Sequence, residues 1–179
     1  MRVALLATAG AVVCTVCDHL HAAFGILYYA HPDAWQQAWW VPLLFAGSSV
    51  AMLVGAIPVR RLLGGGDRER DTSVNVIAAP SLAFIAAYVF TALFAYEPDV
   101  VLGVLTLAWL VRVVRGVPRW LAVYSLFVAI LGPAVEHTLS SLGLFAYLAP
   151  DVVKIPRWLP ALYLHAGLIA GPALRWVEA

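Results

Sequence analysis

Charge is scarce in this chain. Asp, Glu, Lys and Arg make up 12% of its 179 residues, about half the usual globular share. Lysine occurs once, at Lys154. A net charge of +1 makes no case for nucleic acid as a partner. Polar linkers are scarce as well. Only residues 64–73, GGGDRERDTS, read as a flexible connection, so no extramembrane domain remains to carry a soluble activity. The two cysteines, Cys14 and Cys17, form a C-x-x-C in the middle of an apolar run. With no thioredoxin-like context they read as small buried hydrophobes. No nucleophile elbow, phosphate loop or nucleotide fingerprint is present.

What is present is apolar. Hydrophobic residues fill 63% of the chain, and a bilayer core asks for ~20 of them per helix. Six spans are expected, near 3–29, 40–62, 74–96, 99–115, 119–146 and 158–177. The first is too long, and too poor in cleavage-site residues, for a leader peptide, so it is expected to be retained. Asp71, Thr72 and Ser73 are expected to cap the third helix. Glu97-Pro98-Asp99 suits the start of the fourth, and Gly116-Val117-Pro118 and Ala149-Pro150-Asp151 bound the fifth. The expected fold class is all-α: one domain over residues 1–179, a bundle of six transmembrane helices.

Topology follows from the cations. Arg2, Arg60, Arg61, Arg68, Arg70, Arg112, Arg115, Arg119 and Arg175 fall on one side; Lys154 and Arg157 fall on the other. Both termini are therefore expected in the cytoplasm. Trp35, Trp39, Trp40, Tyr96, Tyr147 and Trp158 are expected in an outer aromatic belt, and Trp109, Trp120 and Trp176 in an inner one. Small residues recur at four-residue spacing in Gly47/Ala51/Gly55, Ala79/Ala83/Ala87 and Gly167/Gly171, a pattern that lets helices approach closely in lipid. Pro133 is expected to kink the fifth span.

Six ionisable residues lie inside spans: Asp18, His19, His21, Glu136, His137 and His165. Charges in lipid face a bundle interior and pair with one another. Helical rise puts Asp18, Glu136 and His165 in the outer half of the membrane, where they could meet. Asp18, His21, Glu136, His137 and His165 are thus the candidate ligand-binding residues, a polar cluster lining a lipid cavity. Cys14, Cys17, Asp18 and His21 share one helix face, which also raises a metal site completed by Glu136, His137 or His165. No metal-binding spacing supports that, so no metal is expected. A hydrogen-bonded carboxylate–imidazole cluster that locks helices together is the plainer expectation. Ser140, Ser141, His137 and Glu136 do not satisfy a catalytic triad by local spacing.

Two segments are distinctive: Trp39-Trp40-Val41-Pro42, opening the second span, and Tyr147-Leu148-Ala149-Pro150-Asp151, continuing through Ile155-Pro156 to Arg157-Trp158-Leu159-Pro160. With Leu105-Thr106-Leu107-Ala108 in the fourth span, they resemble the Insig (insulin-induced gene) family in the matching places, over nearly the whole chain. The resemblance implies a non-enzymatic six-helix membrane protein that regulates lipid metabolism by binding. Animal members reside in the endoplasmic reticulum, bind oxysterols, and hold Scap or HMG-CoA reductase. This chain departs from them: Arg112 to Arg119 has no acidic residue where they carry one, and no long polar stretch precedes the first span. The lipid-binding bundle carries over better than those partners. The Ala-, Val- and Arg-rich composition suggests a GC-rich bacterial gene, hence an inner-membrane location. The expected ligand is a neutral lipid, diacylglycerol-like or a sterol, with no other cofactor; a homo-oligomer is an open expectation. The alternative is an intramembrane metal-dependent lipid hydrolase using the His and carboxylate residues.

Overall fold

The computed structural model describes residues 1–64 and 73–179. Arg68, Arg70, Asp71 and Thr72, counted above as topology charges and caps, lie outside the described residues. The elements are α1 (Arg2–Ala23), β1 (Leu27–Tyr29), α2 (Val41–Leu62), α3 (Asn75–Phe94), α4 (Pro98–Val114), α5 (Arg119–Ser141), β2 (Phe145–Tyr147), α6 (Leu159–Gly167) and α7 (Ala170–Glu178). Among the described residues, α1, α2, α3 and α5 are each long and apolar enough to cross a membrane. α4 has 17 residues. The expected sixth span is two nine-residue helices, broken at Leu168–Ile169. α3 begins after Val74 with no side-chain cap, and α5 continues through Pro133.

The first and fifth spans end earlier than their apolar runs. Gly25 and Gly143 adopt φ of 67° and 73°, a left-handed conformation that stops a helix. The chain then closes the same double hydrogen bond twice: Gly25 N–H to Ala22 O with Ile26 N–H to His21 O, and Gly143 N–H to Ser140 O with Leu144 N–H to Leu139 O. This is the glycine-terminated helix end. The apolar residues beyond each glycine become strands, not further helix. β1 pairs antiparallel with β2, Leu27 opposite Tyr147, Tyr28 opposite Ala146, Tyr29 opposite Phe145.

That pairing exposes an internal repeat. One constant shift along the chain carries Asp18-His19 onto Glu136-His137, Gly25 onto Gly143 and Tyr29-x-x-Pro32-Asp33 onto Tyr147-x-x-Pro150-Asp151. The same shift carries Trp40-x-Pro42 onto Trp158-x-Pro160. Tyr28 and Ala146, the central strand partners, are equivalent residues, so a local two-fold axis passes between them. The loops match as well. Ala34 bridges Gln37, and Val152 bridges Ile155. Asp33 Oδ2 accepts Trp39 N–H at 3.0 Å, and Asp151 Oδ1 accepts Arg157 N–H at 2.5 Å. The aspartate of each Pro-Asp thus seats the chain for the following helix. Asp151 and Asp99 also pair with the Arg157 guanidinium at 2.7 and 2.8 Å, and they hold it above the ordinary arginine range.

Between lipid and protein there is little hydrophobic driving force, so the bundle depends on close packing and hydrogen bonds. Glycine supplies the closest approaches. A Cβ on Gly167 would stand 2.6 Å from Ser125 Cα, and one on Gly171 2.7 Å from Leu121, so α6 and α7 lie tight against α5. Gly47 meets nothing; the stripe on α2 is only partly used. The core corrects the aromatic belts. Trp35, Trp39 and Tyr96 are 63%, 70% and 68% exposed, but Trp158, Tyr147, Trp109 and Trp120 are buried. The last four fill space between helices, and apolar sequence alone does not separate those two uses of an aromatic ring.

Candidate functional site

The polar side chains gather beneath the two-stranded ladder, and the repeat places them. In the first half, Gly25 turns α1 into β1, which brings Tyr29 back beside the helix. Its hydroxyl donates to Asp18 Oδ2 at 2.7 Å, and Gln37 Nε2 donates to the same oxygen at 2.6 Å. In the second half, Gly143 does the same for Tyr147, whose hydroxyl donates to Glu136 Oε2. Tyr163 of α6 completes that carboxylate, donating to Oε1 at 2.5 Å. The Tyr163 ring lies where a Gly132 Cβ would be, 2.2 Å from the nearest ring carbon. Gly132 therefore clears the path by which α6 reaches Glu136. Each carboxyl group takes two donors, as acceptors held away from water require.

The histidines find other partners. His21 Nε2 lies 2.8 Å from Thr91 Oγ1, whose own proton goes to the Tyr88 carbonyl at 2.7 Å. His21 is therefore the donor, and it ties α1 to α3. Its ring is fully buried, tilted against Tyr88 and edge-on to Trp158. His19 Nδ1 sits 2.7 Å from the Trp35 carbonyl. His137 Nδ1, on the residue that is its counterpart in the repeat, is buried with no hydrogen-bond partner among the described residues. His165 is placed elsewhere: Arg112 Nη1 donates to its Nδ1 at 3.1 Å, which leaves Nε2–H to donate to the Leu105 carbonyl at 3.0 Å.

Carboxylate–imidazole pairing is thus not the arrangement found among the described residues. Phenols and an amide satisfy the acids; a hydroxyl, backbone carbonyls and an arginine take the imidazoles. His165 serves the α4–α6 contact and not the outer cluster, because helix depth alone does not say which neighbour a side chain meets. Tyr29, Gln37, Thr91, Tyr147 and Tyr163 were missed by sequence reasoning. A signal existed for two of them: in both halves the tyrosine follows its carboxylate at the same interval, just past the glycine. Cys14 and Cys17 are free thiols. Among the described residues no three His, Cys, Asp or Glu side chains gather as metal ligands would, and Asp18 and His21 turn to different partners. The metal-dependent hydrolase reading gains no support.

A cavity of about 250 Å³ adjoins the Asp18 pair. Ala22, Gly25, Tyr28, Tyr29, Gln36 and Leu148 are among its walls, so Tyr29 is shared between cavity and carboxylate. Gly25 lines it without a side chain, and Leu148 comes from the second half.

Fold and site together define a polytopic, mostly helical membrane protein with a buried polar layer at one end. No protein-family model matches the chain. An INSIG protein homolog of Mycolicibacterium vanbaalenii is 31% identical over 172 residues, covering 90% of this chain and 79% of that protein. The chain belongs to the Insig family. Two solved structures share its fold, each covering 99% of this chain and 94% of the solved one. One is the mycobacterial Insig homolog MvINS from Mycobacterium vanbaalenii, with a TM-score of 0.83 at 23% identity. The other is a cross-linked MvINS trimer, with a TM-score of 0.82 at 24% identity.

Proposed function

We propose that this chain is a non-enzymatic lipid-binding protein with a sensing or regulatory role, and that it holds the polar head of a neutral glycerolipid, diacylglycerol-like, in the outer cavity. The whole chain acts as one domain with six spans and both termini in the cytoplasm, in a bacterial inner membrane. Helix alternation supports the count: the two repeat halves run the same way, so α3 and α4 must return the chain between them. The trimer of MvINS supports self-association.

The observation that carries the ligand reading is the cavity beside the Tyr29–Asp18 bond. Its volume of about 250 Å³ lies just below the usual range for small-molecule sites, enough for a head group but not a whole lipid. Val16, Val12 and Leu5 are exposed along α1 and Phe24 just past its end, and they offer an apolar track for acyl chains. Those chains leave lipid and not water, so selectivity rests on the head group, within reach of Tyr28, Tyr29 and Gln36. A sterol hydroxyl is a second ligand of the same polarity.

The test is saturable binding of labelled diacylglycerol, and separately of an oxysterol, to purified protein in neutral detergent. Gln36→Ala and the cavity-filling Leu148→Trp should each weaken diacylglycerol binding several-fold, on the scale of one lost hydrogen bond, about 1 kcal/mol. Saturation by neither ligand would sink the proposal; tighter binding of the oxysterol would replace the glycerolipid with a sterol.

A further inference from the structure

At the opposite, arginine-rich end the arginines are not paired alike among the described residues. There Arg60 pairs with both oxygens of Glu178 at 2.8 and 2.7 Å, and Arg2 donates to the Trp176 carbonyl and stacks on its ring. Arg112 differs. It is half-buried in the last turn of α4, and its one hydrogen bond among the described residues goes to a neutral imidazole, His165. No ion pair among the described residues includes it. A guanidinium has five donors, so most of its hydrogen-bonding capacity is unused among the described residues.

The surroundings add charge of the same sign. Arg115 follows three residues later, a neighbour on the helix surface, and Arg119 opens α5 after the Gly116–Pro118 turn. Both are exposed. No Asp or Glu occurs from 112 to 119, and the first turn of α5 has no acid to offset its positive dipole end. His165 is itself anchored on Leu105 O, so Arg112 is held in one orientation. Along the side of α4 that Arg115 continues, next to Arg112, Val104, Ala108 and Val111 are exposed. A cation above an apolar, lipid-facing stripe matches an amphipathic anion.

We propose that Arg112, oriented by His165, and Arg115 bind the phosphate of an anionic phospholipid at the arginine-rich end of the bundle. The guanidinium of Arg112 takes the phosphate oxygens in its planar fork, Arg115 closes on them from the surface, and the acyl chains lie along Val104, Ala108 and Val111. This site is separate from the outer cavity and does not depend on what fills it.

The test is titration of the full-length protein, in phosphatidylcholine nanodiscs, with phosphatidylglycerol, read by native mass spectrometry as lipids retained per chain. One tightly held phosphatidylglycerol is expected. Arg112→Gln should weaken it about tenfold, the loss of one charged hydrogen-bonded contact. His165→Ala should weaken it less, and Arg61→Gln, an exposed cation at the same end, should leave it unchanged. Arg115→Gln, which removes an exposed side chain, decides the matter if the Arg112 variant does not fold: it too should weaken retention several-fold. Retention unchanged in the Arg115 variant, or lowered equally by Arg61→Gln, would overturn the proposal in favour of general surface attraction. Displacement by millimolar inorganic phosphate alone would overturn the lipid and leave a free-anion site.

Discussion

Asp18, buried, and Glu136, half-buried, show how a membrane protein accommodates an acid with no base paired to it. Tyrosine donors bring an aromatic ring that packs among helices and a hydroxyl that reaches a carboxylate. Gln37 and Tyr163, each from the helix entry or helix that follows in its own half, complete the two pairs. Removing an acid strands its donors, and each unsatisfied buried group costs about 1–3 kcal/mol. Asp18→Ala is therefore expected to unfold at a clearly lower temperature in detergent than the parent, with Asp18→Asn between the two because it keeps an acceptor. Equal melting of all three would show that the bonds from Tyr29 and Gln37 contribute nothing to stability.

At the scale of elements, the glycines divide into those that are squeezed and those that are not. Gly167 meets Ser125 backbone and side chain; Gly47 has open space around it. Overpacking a tight contact costs about 1–3 kcal/mol, whereas an alanine in open helix is favourable by up to about 1 kcal/mol. Gly167→Val should thus destabilise the α5–α6 pairing, seen as a lowered midpoint in thermal unfolding, and Gly47→Ala should be neutral or stabilising. The two halves of the repeat use this device in opposite senses. In the first, Gly10 of α1 makes room for Ser49 of α2. In the second, Gly167 of α6, at the place of Ser49, makes room for Ser125 and Val128 of α5. The hairpins are alike in path and different in which helix yields.

For the whole molecule, the repeat sets the relative directions of the two halves, and the proposed absolute orientation rests on the cations. Arg61 and Lys154 are both exposed and fall on opposite sides of the proposed topology. Single cysteines at these positions should react oppositely with a membrane-impermeant maleimide on intact cells, Lys154→Cys from outside and Arg61→Cys only after permeabilisation. Cys14 and Cys17 lie within α1, and parent protein provides their background. Labelling of both sites from outside would contradict the six-span, N-in arrangement.

Much of this architecture was legible in the amino-acid order. Long apolar runs require helices in lipid because each backbone polar group needs an internal partner, and the helix bodies of all six stretches lie where those runs lie. The Trp-Val-Pro and Pro-Asp signatures carried the family. The repeat is also legible, in two Tyr-x-x-Pro-Asp stretches each followed at equal distance by Trp-x-Pro. The sequence left open which polar groups would meet. Asp18, Glu136 and His165 occupy compatible depths along their helices, yet His165 turns to Arg112 and the acids turn to tyrosines. Depth follows from position in a helix; azimuth and partner follow from how neighbouring helices pack. Packing also decided that Gly25 and Gly143 end helices inside apolar runs, since the residues beyond them find backbone partners only in each other, across a ladder that joins two distant parts of the chain.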